Sequence, residues 1–203
     1  MNPQKDASIR ILRRQTLSDN WFRLENVTFE QTSANGTRET LEREVYHNGP
    51  GAAVLPTDPQ RRTVLLVRQL RIPACLNGDD PMLVEACAGM VDQGDEPGDT
   101  VRKEAEQELG YRLHQIRKVA EVYTSPGASA EKLTLFLAEY GVGDRIGDGG
   151  GLPDEGERIE ILELPLSRAW EMVEAGQIVD AKTLLLLQHA RLAEQRVGTT
   201  TTA

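Results

Sequence analysis

The stretch GMVDQGDEPGDTVRKEAEQELG, residues 89–110, is a glycine-bounded loop running straight into an acidic helical segment with Glu104, Glu106, Gln107 and Glu108. Residues four apart on an α-helix share a face, so Glu104 and Glu108 point the same way, with Gln107 beside them and Lys103 on the flank. Two carboxylates this close repel each other unless a cation stands between them. Magnesium suits such a place, because it takes a few carboxylate oxygens and leaves its other positions to water and substrate phosphates. An acidic helix face alone is more often solvated surface. Here the order of the parts decides. The apolar run LVEACAGMV, residues 83–91, reads as a strand ending at Gly89; a loop with Gly94, Pro97 and Gly98 follows; Asp99 or Thr100 can then cap a helix that stops at Gly110. Strand, tight loop and acidic helix together predict a metal-dependent phosphate site.

Upstream, residues 9–46 alternate as strands do, and the turn Ala34-Asn35-Gly36 between residues 20–32 and 37–48 predicts a hairpin. This piece has too little apolar surface to stand alone. After Asn48-Gly49-Pro50-Gly51 the apolar runs AAVLP, TVLLVRQLRIP, MLVEACAGMV, VAEVYTSPG and KLTLFLAEYG read as strands. A loop rich in Gly and Asp spans residues 141–156, strand IEILELP leads into helix SRAWEMVEAG, and Asp180 caps a last amphipathic helix, AKTLLLLQHARLAEQ. The expected organisation is a β arm over residues 1–48, a main body over 49–196 and a disordered tail over 197–203.

Composition fits a compact enzyme. In 203 residues, 39% hydrophobic content is enough to bury a core. A net charge of −9, 4% aromatic residues and no basic cluster argue against polymeric nucleic acid as a partner. Cys75 and Cys87 form no CxxC and no disulfide framework, and Cys87 reads as core packing. His47, His114 and His189 lack zinc-ligand spacing. The start MNPQKDASIRIL has no apolar signal region, and no run reaches the ~18 apolar residues of a membrane span, so a reducing cytoplasm is expected.

The 89–110 segment resembles the signature of the Nudix hydrolases: glycine, five residues, Glu, seven residues, Arg-Glu, an aliphatic, any residue, Glu-Glu, any residue, glycine. Counting from Gly89 fits the spacing throughout, with departures at Asp95 for Glu, Lys103 for Arg and Gln107 for the first Glu of the pair. In the family the first two of these positions form an ion pair. Asp is short and Lys lacks the planar fork, so a weaker brace is expected, with Glu96 as the alternative partner. Gln107 removes one negative charge and predicts fewer or more loosely held metal ions, or an inactive member.

The segments LSDNWF, REVYHNG, RQLRIP, TSPG followed by Glu131, GGG and DAKTLLLL are similar to the branch of that family holding the GDP-mannose and ADP-ribose pyrophosphatases. The resemblance implies an α+β Nudix fold, a mixed sheet between helices, with an N-terminal antiparallel β extension. It implies a homodimer whose N-terminal strands reach the partner's nucleotide. It implies magnesium, with manganese second, held by Glu104, Glu108, the Ala88 carbonyl and an acid from LPDEGERIEIL; alignment selects Glu157 from among Asp154, Glu155, Glu157 and Glu160. The catalytic set is then Glu157, Glu131 and Glu108. Gly149, Gly150 and Gly151 read as a flexible approach letting Glu157 swing over substrate. Substrate contacts fall on Trp21, Glu42, Arg43, Glu44, Arg71, Gly89, Met90, Glu131 and Lys182.

The chemistry required is in-line attack of water on phosphorus, neutralisation of the phosphate oxygens and a base for the proton. The expected reaction is cleavage of GDP-mannose to GMP and mannose 1-phosphate. Three readings stand beside it. ADP-ribose hydrolysis differs only in pocket shape; a catalytically weak nucleotide-binding module would account for Gln107; a purely structural protein would leave Glu104 and Glu108 without purpose.

Overall fold

The computed structural model describes residues 8–152, 154 and 156–200. The chain divides into two compact units, one of Met1–Gly49 with Tyr123–Lys132 and the other of Pro50–Val122 with Leu133–Ala203. The first unit thus takes in a segment that the sequence assigned to the main body.

The first unit is a three-stranded antiparallel sheet of β1 (Ser8–Asp19), β2 (Arg23–Thr32) and β3 (Arg38–His47), in that order. The expected hairpin is the β2–β3 pair, turning at Gly36 with φ 84°. β1 adds a further strand to it, with register shifts at Ile11/Arg13 and Thr16/Ser18.

In the second unit β4 (Pro50–Asp58), β5 (Thr63–Leu70), the short helix α1 (Ile72–Leu76), β6 (Met82–Glu85) and β7 (Cys87–Met90) precede the acidic helix α2 (Pro97–Glu104). β8 (His114–Tyr123), β9 (Lys132–Glu139), β10 (Glu160–Pro165), α3 (Leu166–Glu174) and α4 (Ala181–Thr200) follow. α4 runs past the expected boundary at residue 196 as far as Thr200, and residues 201–203 of the expected tail lie outside the described residues. The sheet runs β10-β5-β4-β9-β8, with β6 added to β5 and β7 to β4. Its central strands are apolar on both faces because helices cover both. Ala53, Leu55, Val64 and Leu66 pack with Leu166 and Ala169 of α3 and Leu186, Leu187 and Ala190 of α4. Ala52, Val54, Leu65 and Val67 pack with Val101 of α2 and with Ala105 and Leu109 beyond it.

LVEACAGMV departs from the single strand expected of it. β5 pairs with the end of β4 at Thr57–Asp58, whereas its own far end pairs with β6. β7 meanwhile pairs with the beginning of β4. The chain therefore changes partner at Ala86, which belongs to neither ladder. Its amide is satisfied by the Thr183 hydroxyl on α4, 2.7 Å away.

Candidate active site

α2 starts one turn earlier than the capping signals indicate. Glu96 is the N-cap residue, in extended conformation, and Pro97 begins the helix, so Asp99 sits in the first turn and Thr100 is buried; neither caps it. From Ala105 to Leu109 the helix widens into a π turn, closed by Gly110 in the left-handed conformation at φ 72°. The Gly110 constraint is double, since a Cβ there would also collide with the Gly147 carbonyl. Neither Asp95 nor Glu96 pairs with Lys103 among the described residues. Arg102 instead bonds Asp99 at 2.8 Å, so the expected brace is absent and its place is taken by a local contact.

Gly89, on β7, faces the helix. A side chain there would overlap the Glu104 carboxylate, so only glycine lets that carboxylate lie against the strand. Glu108 lies one turn on, 2% exposed, and accepts hydrogen bonds from the Ala88 amide at 3.3 Å and from the Cys87 thiol. A strand residue's amide and carbonyl leave by the same edge, which turns the Ala88 carbonyl toward Glu108 as well. Burial pushes the Glu108 carboxyl up from 4.5 to about 7. The Cys87 bond opposes the rise, the charges of Glu104 and Glu157 add to it, and the Ala88 bond opposes it again. Among the described residues no cation forms an ion pair with Glu108. A buried carboxylate that feels the charges of two more has the donor chemistry of part of a magnesium site. Cys87, read as core packing, is buried as expected and also holds Glu108.

The glycines at 149–151 act differently from expectation. They are no loose approach, because Gly150 donates to the Glu108 carbonyl at 2.8 Å and Gly151 to the Gln107 carbonyl at 3.2 Å, closing off the π turn. All three have positive φ. Glu157 is within electrostatic reach of Glu108, but its carboxylate accepts from the Leu152 amide at 2.9 Å, on its own loop. Among the described residues, accordingly, no three acidic, His or Cys side chains are gathered closely enough to hold a metal as they stand. Glu104 and Glu108 are brought together, and Glu157 is held back from them. Asp154 and Glu160 are exposed, Glu160 on β10 facing Arg68 at 3.3 Å, and Glu155 lies outside the described residues.

The residue that the sequence reading missed is Glu85. Only 2% exposed, it accepts from Arg71 Nε and Nη2 at 2.8 and 2.9 Å and from the Lys182 ammonium at 2.6 Å. Burial opposes its charge, yet Arg71 and Lys182 together hold its carboxyl below the ordinary range. Asp180 bonds Lys182 at 3.0 Å and caps α4 through the Thr183 amide at 2.9 Å, as expected of an N-cap. Arg71 and Lys182, both expected at phosphate, are thus aimed by one carboxylate. A lone glutamate inside an apolar strand was the available signal. Met90, at the end of β7, is exposed.

The remaining candidates belong to the first unit. Trp21 is 87% exposed. Glu42 accepts from Asn26 and Thr28 across the sheet, both at 3.2 Å, and Glu44 shares its face; Arg43 points to the other face and bonds the Glu42 carbonyl. Glu131 is gripped by Thr124 at 2.6 Å and Asn48 at 2.9 Å. A cavity of about 260 Å³ also exists, lined by residues such as Asp58, Arg62, Arg117, Glu139 and Glu194; Arg62 pairs with Glu194 there and Asp58 with Arg61.

Comparison with known proteins places the chain as a whole. A model of the NUDIX domain matches residues 47–185, and a model described as the GDP-mannose pyrophosphatase NudK N-terminal domain matches residues 8–46. The chain is 47% identical over 186 residues to a GDP-mannose pyrophosphatase of Cronobacter sakazakii, covering 91% of this chain and 96% of that one. It is 45% identical over 183 residues to one of Klebsiella pneumoniae, covering 90% and 91%. A solved structure titled as an ADP compounds hydrolase superposes with a TM-score of 0.74 at 18% identity, covering 96% of this chain and 99% of that one, and shares the fold. No helix among the described residues is long and apolar enough to cross a membrane.

Proposed function

The chain belongs to the NUDIX family, and on that premise we propose that it hydrolyses the pyrophosphate bond of a nucleoside diphosphate sugar, with GDP-mannose cleaved to GMP and mannose 1-phosphate. The observation carrying this reading is the buried Glu108 carboxylate, which has no ion-pair partner among the described residues, beside a Glu104 that only a glycine at position 89 accommodates. GDP-mannose ranks first because the relatives just described bear that activity in their names. ADP-ribose ranks second.

Glu104, Glu108 and the Ala88 carbonyl would hold magnesium, with manganese as the second candidate and Glu157 joining once it leaves the Leu152 amide. Bound there, the ion would neutralise phosphate oxygens and lower the pKa of a water. Glu157 and Glu131 are the two groups proposed to take the water's proton, and Glu108 shares in the catalytic set. Arg71 and Lys182, held by Glu85, supply positive charge toward phosphate. Gly89 and Met90 line the substrate's path.

The proposed assembly is a homodimer. β1 is an edge strand carrying exposed Ile9, Ile11, Leu12 and Leu17, which together with the bare Trp21 make an apolar face suited to a second copy. In that assembly Trp21, Glu42, Arg43 and Glu44 would meet the partner's nucleotide. Cys75 and Cys87 are both free thiols, which suits a reducing compartment, and the cytoplasm is the proposed location.

The test is product analysis of a panel of nucleotide sugars and ADP-ribose, with and without magnesium, on the native chain and Glu104→Gln. Metal-dependent release of GMP from GDP-mannose, reduced at least a hundredfold by Glu104→Gln, is the expected result. Absence of metal-dependent cleavage of any substrate refutes the enzyme; undiminished turnover by Glu104→Gln refutes the site.

A further inference from the structure

Glu131 sits at the end of a loop that has little else to hold it. Residues 124–130 are exposed apart from half-buried Ser129, and the only regular pairing of this stretch is with Tyr46 of β3: the Tyr46 amide donates to the Ala128 carbonyl at 2.8 Å and the Ala130 amide to the Tyr46 carbonyl at 2.9 Å. Two residues past Tyr46 stands Asn48. Its Nδ2 donates to Glu131 Oε1 at 2.9 Å, and its Oδ1 accepts from the Ser129 hydroxyl at 2.8 Å. That hydroxyl in turn accepts from the Glu131 amide at 3.0 Å. The three residues close a ring. Its polarity follows from chemistry, because a carboxylate can only accept and a backbone amide can only donate, which leaves the Asn48 amide one orientation.

The other Glu131 oxygen accepts from Thr124 at 2.6 Å. Both donors to the carboxylate are thus neutral. A lysine or arginine in either place would cancel the charge that a base or a substrate contact needs, whereas an amide and a hydroxyl fix direction and leave the charge in place.

We propose that Asn48 is a positioning residue that aims the Glu131 carboxylate, so that the strand β3 sets the geometry of a catalytic group 83 residues further along the chain. This rests on the reading of Glu131 as a catalytic group. Glu131 would be the acting group and Asn48 would work through it, with Ser129 holding the amide and Thr124 guarding the opposite oxygen.

Kinetics on GDP-mannose with magnesium separate positioning from structural support. Asn48→Ala should lower kcat about 10- to 100-fold with KM changed by less than about threefold, as expected of misaim by an ångström or less. Asn48→Asp keeps the Ser129 contact but turns an acceptor toward Glu131, and should fall at least as far. In a Glu131→Gln chain, Asn48→Ala should cost nothing further, because the group it aims is gone. Thr124→Val, which removes the second donor from a different element, gives an independent reading should Asn48→Ala fold poorly, and should show the same silence in the Glu131→Gln chain.

Equal losses from Asn48→Ala with and without Glu131 in place refute the positioning role, as does native kcat in Asn48→Ala when Glu131→Gln is impaired. Native turnover by Glu131→Gln itself overturns the underlying reading of Glu131, and the role of Asn48 with it.

Discussion

Replacing Glu108 with Gln in metal-free protein isolates the free energy stored in one buried carboxylate. In the native fold this carboxyl is raised from 4.5 to about 7, first by burial and then by the charges of Glu104 and Glu157. A rise of that size corresponds to about 3 kcal/mol. The folded value lies above the unfolded one, so between pH 4.5 and about 7 the native state keeps a proton that the unfolded chain has released. The group's contribution is therefore whole below about pH 4.5 and is lost as the pH climbs through about 7. Gln carries no charge to bury and still offers an oxygen to the Ala88 amide. In chelator-treated protein at pH 8, Glu108→Gln should melt about 6–12 °C above the native chain, and near pH 4.5 the two should coincide. Other carboxyls, such as Glu85 and Asp58, are held below their ordinary values and weaken both chains alike in acid, so the difference between chains is the quantity to read. Magnesium should reverse the order at pH 8 by stabilising the native chain alone. A metal-free variant less stable than native at pH 8, or a difference that does not vary with pH, refutes the reasoning.

Two other substitutions probe the surroundings of the acidic pair. Gly89→Ala puts a methyl group where the Glu104 carboxylate lies, and should weaken magnesium binding at least tenfold by calorimetry while the metal-free fold keeps its circular dichroism spectrum; native affinity contradicts the assigned contact. Glu85→Gln removes the anion that Arg71 and Lys182 share, leaving Lys182 with Asp180 alone, and should cost about 2–4 kcal/mol in denaturant unfolding; a loss below about 1 kcal/mol means that the network does not hold the fold.

What could be read from the sequence was what is local. Gly89, Gly110 and the pair Glu104 and Glu108 are spaced along one turn-and-helix, and their roles follow from glycine's missing side chain and the helical period. The apolar runs were legible as strands, and the structure shows why Val64 to Val67 are apolar throughout, since both faces of β5 are covered. What escaped depends on distant partners. Nothing in LVEACAGMV marks Ala86 as the residue where the chain changes ladders, because its hydrogen-bond partner is Thr183. Glu85 does not stand out as a site residue within its apolar run, because Lys182 lies 97 residues on. No residue type announces a π turn at Ala105, and so the helix carrying the site was drawn as regular. Gly149 to Gly151 show a different ambiguity. Positive φ serves a hinge and a cap equally well, and only the amides of Gly150 and Gly151 bonded to helix carbonyls tell which one was built.

The bond from Ala86 to Thr183 ties the end of the site's first strand to a residue made late in synthesis. Until α4 has left the ribosome, the Ala86 amide has no native partner and Glu85 lacks one of its two cations. The stretch that bears Ala88 and Gly89 can pair with β4 as soon as it is made, but its junction with β6 at Ala86 is completed only with α4. Closing so long a loop is slow compared with forming α2 beside it. An emerging chain would therefore carry Glu104 and Glu108 before it has Lys182, the second of the two cations that Glu85 holds.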